Sequence, residues 1–183
     1  MKFKKSTIKT AEGLSLANYS DGWSMEYGEG GSYTCDILVD GKKAATVIEE
    51  GNGGPVMVHY EGRDHSSVDD KVLAFLKRTN KDYGPDSKYD FCKNATKAGD
   101  TEYAMFVNDM LDVVEFSKHA KSAFKKGYKS IMEINVGCQC HTIKGGRYDD
   151  YEGLVSYAKK QGINADEADK IHFLVEGQEI TLI

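Results

Sequence analysis

The sequence predicts an α+β fold, with an N-terminal antiparallel β-meander followed by elements in the order α-α-β-α-β. Three observations carry this expectation. Apolar residues alternate with period two through the first third of the chain. They recur at helical spacing through most of the remainder. Glycine-rich turn signals punctuate the first region far more than the second. A length of 183 residues suits one domain spanning 1–183, with a β-rich half 1–62 and an α/β half 63–183 as the alternative division.

The meander is expected over residues 5–60. Leu14 to Tyr19 alternates apolar with polar, Asp21-Gly22 interrupts, and Trp23 to Tyr27 resumes before the glycines at 28, 30 and 31. Tyr33, Cys35, Ile37 and Val39 alternate on the next run. Asp40-Gly41 separates them from Lys42 to Glu49, and this pair between two alternating runs predicts a type I′ hairpin, whose central residues both need positive φ. Gly51-Asn52-Gly53-Gly54-Pro55 then turns the chain into a strand at Val56 to Tyr60.

Beyond residue 60 the period changes. Ser66 or Ser67 is expected to cap a helix burying Val68, Val72, Phe75 and Leu76. Thr101 opens a longer helix with Tyr103, Phe106, Val107, Met110, Val114, Phe124 and Tyr128 on one face and Gly127 as its stop. A strand follows at Ile131 to Val136. Tyr148, Tyr151, Leu154, Val155 and Ala158 mark another helix, closed by Gly162. Ile171, Phe173 and Val175, then Ile180 and Leu182, complete the chain as one or two strands.

Charge and composition exclude several classes. With 24 basic and 29 acidic residues the net charge is -5, which excludes a uniformly basic coat for nucleic acid. The basic start Met1 to Lys5 has no apolar segment after it, so no signal peptide is expected. No apolar run approaches a membrane span, and no membrane partner is expected. The protein is expected to work in the cytoplasm of a bacterial host, with Cys35, Cys92, Cys138 and Cys140 as thiols.

Several strings were weighed for chemistry. Cys138-Gln139-Cys140-His141 offers zinc-type ligands, but one residue between the cysteines is too few for a zinc knuckle and no second pair exists. His141 is the chain neighbour of Cys140, a poor geometry for a base serving a thiol nucleophile. The glycines at 51, 53 and 54 precede a strand and not a helix, and no Gly-Lys-Ser/Thr occurs, so a turn is expected there in place of a phosphate loop. No catalytic residue, metal or cofactor is assigned on these grounds, and the chain is expected not to be an enzyme. A small Cys/His zinc enzyme is kept as an alternative.

Two charged patches remain. Between Lys118 and Lys129 stand five lysines, His119 and no acid. Lys118, Lys121, Lys125 and Lys129 recur at helical spacing and form a stripe, joined by Lys126, beside the apolar face; such a stripe can neutralise phosphates. Asp149, Asp150 and Glu152, with Asp166, Glu167 and Asp169, form an acidic set on expected helices. It suits a basic partner, with Tyr148 as aromatic anchor.

The run Tyr33 to Lys43, continuing through Val47 to the glycine cluster at 51–54, resembles a hairpin of small phage and mobile-element proteins. In size and style the chain resembles a phage-type anti-CRISPR acting on a type II-A RNA-guided nuclease. The resemblance covers residues 30–60 and transfers no functional residue. It implies a non-enzymatic inhibitor that binds the nuclease stoichiometrically, and the lysine stripe adds double-stranded DNA as an expected contact. A phage DNA-binding accessory or regulatory protein is the other alternative.

Overall fold

The computed structural model describes residues 2–5, 8–23, 31–62, 65–80, 83, 90–93, 95–136, 139–146, 150–177 and 181–182, with only the backbone of 2–5, 23, 90, 91 and 181–182. The α+β class is observed. The chain forms two compact units, Met1–Leu111 and Asp112–Ile183.

The first unit holds a five-stranded antiparallel sheet in sequence order: β1 (Lys2–Lys5), β2 (Leu14–Trp23), β3 (Gly31–Val39), β4 (Lys42–Glu49) and β5 (Met57–Tyr60). Each strand pairs with its neighbour in sequence, which makes it a meander. At the β3–β4 hairpin Asp40 and Gly41 have φ of 49° and 82°, as a type I′ turn requires. Two expectations are corrected. A strand precedes residue 5, since β1 uses Lys2–Lys5. Asp21-Gly22 is not a turn; it lies inside β2, opposite Tyr33 and Ser32. The interruption falls earlier, at a β-bulge where Asn18 and Tyr19 oppose Cys35 alone and Asn18 takes φ 50°. Of the expected strand at Trp23 to Tyr27, all but Trp23 lies outside the described residues, as do Gly84 and Pro85.

Two helices complete this unit's core. In α1 (His65–Thr79) the residues Val68, Val72, Phe75 and Leu76 are buried, as their spacing requires. The helix already begins at His65, so Ser66 and Ser67 lie in its first turn and are not its cap. A single turn, α2 (Asp90–Lys93), precedes α3 (Asp100–Lys125). Glu102 accepts the Gly99 backbone N–H at 2.9 Å, the reciprocal half of a capping box, and so fixes the start of α3. Phe75 and Phe106 meet edge to face, with ring centroids 5.1 Å apart. Asp69, almost fully buried, accepts hydroxyls from Tyr60 of β5 and Tyr103 of α3 at 2.7 and 2.8 Å, which ties sheet and both helices to one carboxylate.

The second unit contains a four-stranded antiparallel sheet in the order β7-β6-β8-β9: β6 (Ser130–Val136), β7 (Gln139–Gly145), β8 (Lys170–Val175) and β9 (Thr181–Leu182). One face meets α4 (Tyr151–Lys160) in a core of Met132, Ile134, Ile143, Leu154, Ala158, Ile171 and Phe173. The opposite face packs Ile131 and Leu174 against Phe116, Ala120 and Ala123 of α3. The expected element order therefore lacks one strand. β7 was unexpected because it is an edge strand with four exposed polar or sulfur-bearing side chains, Gln139, Cys140, Thr142 and Lys144, around a single buried large apolar residue, Ile143.

Covered on both sides, β8 buries His172 and Leu174 as well as the expected Ile171 and Phe173. On α3 the expected apolar face holds for Tyr103, Phe106, Val107 and Met110. Val114 and Phe124 are only half-buried, and the deep positions are Val113, Phe116, Ala120 and Ala123. Both helices of this unit end in the same way. Gly127 (φ 87°) donates to the Phe124 carbonyl and Tyr128 to the Ala123 carbonyl; Gly162 (φ 80°) and Ile163 repeat the pattern on Lys159 and Ala158. This is the Schellman arrangement, and it confirms both expected stops.

Candidate functional site

The lysine stripe is real, but it lies elsewhere on the helix than expected. At 3.6 residues per turn, Lys118, Lys121 and Lys125 fall roughly 140–200° around the axis from the buried Phe116. They therefore stand on the outer face of α3, opposite the sheet and not beside the apolar face, and all three are exposed. Lys126 follows the helix end and is exposed too. Lys121, Lys125 and Lys126 have no ion pair among the described residues. Lys129, beyond the Schellman turn, differs because its Nζ lies 3.0 Å from Glu176. Lys144 of β7 stands opposite Ile131, on the α3-facing side of the sheet and not on the outer face of α3. Its Nζ lies 6.0 Å from the ring centroid of Tyr128, the residue whose N–H closes α3.

The acidic set is not brought together as one free surface. Asp150 is the N-cap of α4 and accepts the Gly153 N–H at 2.6 Å. Asp166 pairs with Lys159 at 2.9 Å. Glu167 accepts from Asn164 at 2.8 Å. Asp166 and Glu167 belong to one 3₁₀ turn, Ala165–Glu167, and Asp169 follows it, so the α-helix expected there is replaced by a turn leading into β8. Glu152 is exposed in the first turn of α4, where a carboxylate complements the helix dipole. Tyr148 and Asp149 lie outside the described residues.

Cys138 also lies outside them, while Cys140 and His141 follow β6 and fall inside β7. As consecutive strand residues, these two project to opposite faces of the sheet. Among the described residues no three His, Cys, Asp or Glu side chains are grouped to hold a metal. The Cys140 thiol is held above its usual range by partial burial, and then by the carboxylates of Glu133 and Asp112. That is the reverse of an activated thiolate. Burial and the neighbouring Asp36 push the Cys35 thiol higher still, to about 12.

One cluster had no signature in the sequence. On the α3-facing side of the sheet, Glu133 stands between Thr142 and His172 in register. Its carboxylate meets His119 Nδ1 of α3 at 2.8 Å. His172 is buried against Phe116, ring centroids 5.3 Å apart, and neither of its ring nitrogens has a partner among the described residues. Burial, helped by Lys170, lowers its pKa to about 4 against an opposing pull from Asp112. Asp112 is itself paired with Lys170 at 2.9 Å. His119, part of the basic run, is exposed yet reaches Glu133 on the sheet through Nδ1, while Lys118 and Lys121 point away from it.

Among the described residues, no helix is long and apolar enough to cross a membrane. A scan against protein-family models, a search of curated proteins and a search of solved structures find no match to this chain.

Proposed function

We propose that the protein acts by binding and not by turnover, as a stoichiometric inhibitor of a type II RNA-guided nuclease, with the α3 lysine ridge as its contact to the nucleic acid that such a complex holds. One observation carries this reading. Lys121 and Lys125 project from the outer face of α3, and Lys126 stands exposed just past its end, all without an acidic partner among the described residues, whereas Asp150, Asp166 and Glu167 are engaged within the chain. The surface offered outward here is basic. The channel of such a nuclease is also basic and holds an RNA–DNA heteroduplex. A lysine ridge is drawn to the heteroduplex or the displaced strand and is repelled by the channel wall. The hairpin resemblance over residues 30–60 supports the choice of target, and the reading puts the protein's action in the cytoplasm of the bacterial host.

The test is a cleavage assay at fixed nuclease with increasing protein. Activity should fall in proportion to added protein and be extinguished near equimolar ratio. Trace protein disabling an excess of nuclease, or no inhibition at any ratio, would overturn the reading. The same ridge favours a second reading, a DNA-binding accessory protein. In that case DNA is retarded in a gel without the nuclease, and cleavage is unaffected.

A further inference from the structure

We infer that Lys121, Lys125 and Lys126 form a track for the phosphate backbone of double-stranded nucleic acid, bound without regard to base sequence. The inference rests on the ridge of the proposed function and adds what it binds, in which form, and which lysines take part.

The choice of residues follows from their partners. Lys129, Lys159 and Lys170 hold Glu176, Asp166 and Asp112 at 3.0, 2.9 and 2.9 Å. A phosphate would have to compete with those carboxylates. Lys121, Lys125 and Lys126 carry no such partner among the described residues. The helix dipole does not account for all of them, since lysines complement it within the last turn, which covers Lys125 and Lys126, but Lys121 stands a turn earlier. Lys118 continues the line on the same outer face.

The nature of the ligand follows from residue types. Every cation in the run is lysine, a point charge without the planar fork that grips a guanine edge in two places. Such residues neutralise backbone and read no base. Among the described residues no exposed aromatic ring stands on the ridge as a stacking platform, so a duplex fits better than a single strand. The large apolar side chains exposed among the described residues are Met57 and Tyr157, neither on α3. An amphipathic helix lying in a lipid surface needs an apolar face to bury, and the outward face of α3 offers lysines and Ser122.

The experiment is fluorescence anisotropy of a short random-sequence DNA duplex, titrated with the full chain at several salt concentrations. Three phosphate contacts give a slope of log K on log salt of about -3. The double variant Lys121→Gln/Lys125→Gln should make the slope shallower by about 2, and Lys126→Gln by about 1. Lys129→Gln should leave it unchanged. Circular dichroism of each variant checks that these surface changes leave the fold intact. No duplex binding at low salt, a slope indifferent to the first two variants, or a preference for anionic phospholipid vesicles over duplex would overturn the inference. Duplex binding with this slope pattern but no nuclease inhibition supports the track and refutes the inhibitor reading. Inhibition that persists without any binding to free duplex does the opposite.

Discussion

His172 is buried, and neither of its ring nitrogens has a partner among the described residues. A histidine held neutral by burial makes the fold sensitive to acid. Its folded pKa, about 4, lies below the roughly 6.5 of an exposed histidine, so between those values the unfolded chain binds the extra proton. Stability from this residue is complete above pH 6.5 and is lost as pH falls toward 4, by about 3 kcal/mol. Urea denaturation across that window should show a steeper pH dependence for the native chain than for His172→Phe, which keeps an aromatic ring against Phe116; equal slopes would refute the assignment. Asp150 carries a second residue-scale expectation. Asp150→Ala should cost about 1 kcal/mol by removing the cap of α4, while Asp150→Asn, which still accepts from Gly153, should recover most of it. Both residues show where sequence reading stops. Asp150 three positions before Gly153 and just ahead of an apolar helix is a legible capping signal, although it reads equally well as a partner-facing acid. The setting of His172 is not legible, because alternation identifies the face of Ile171 and Phe173 but not the helix that covers the other side.

Among the elements, the two Schellman turns give the sharpest expectation. Gly127 and Gly162 adopt φ of 87° and 80°, yet a Cβ at either would meet nothing within 4 Å. The cost of Gly127→Ala or Gly162→Ala is therefore conformational and not steric, about 1 kcal/mol each in urea denaturation. Gly146→Ala, with open space and no left-handed φ, should be close to neutral. Each helix stop was legible because a glycine after an apolar-periodic run is a local signal, read from a few adjacent residues. The start of α1 lies two or three positions earlier than a serine cap implies, for the complementary reason. Serine is a good cap wherever it falls, and only the hydrogen-bonded turn shows that His65 is already helical. β7 escaped notice because an edge strand buries little and needs no apolar alternation to be paired.

At the scale of the whole molecule, charge decides which surface is offered. If the acidic set were the binding surface, Glu152→Gln with Asp166→Asn would abolish inhibition. With the ridge as the surface, that pair should leave inhibition within about twofold, whereas Lys121→Glu with Lys125→Glu should weaken it by at least about tenfold, as expected for reversing two charges in an electrostatic contact. Stoichiometric cleavage titrations of the two variants decide between them. The sequence by itself determined the α+β class, the meander with its type I′ hairpin, the ends of α3 and α4 and the existence of a lysine run. These features rest on residue periodicity and on glycine's access to positive φ, which act over a few neighbouring positions. Only the tertiary structure decided that Lys121 and Lys125 face away from the sheet, that Asp150 and Asp166 are engaged within the chain, that Lys129 is held by a glutamate 47 residues away, and that His119 of α3 meets Glu133, which stands beside His172 on the sheet. Those outcomes depend on which distant segment fills the space beside a side chain, and no local pattern encodes that.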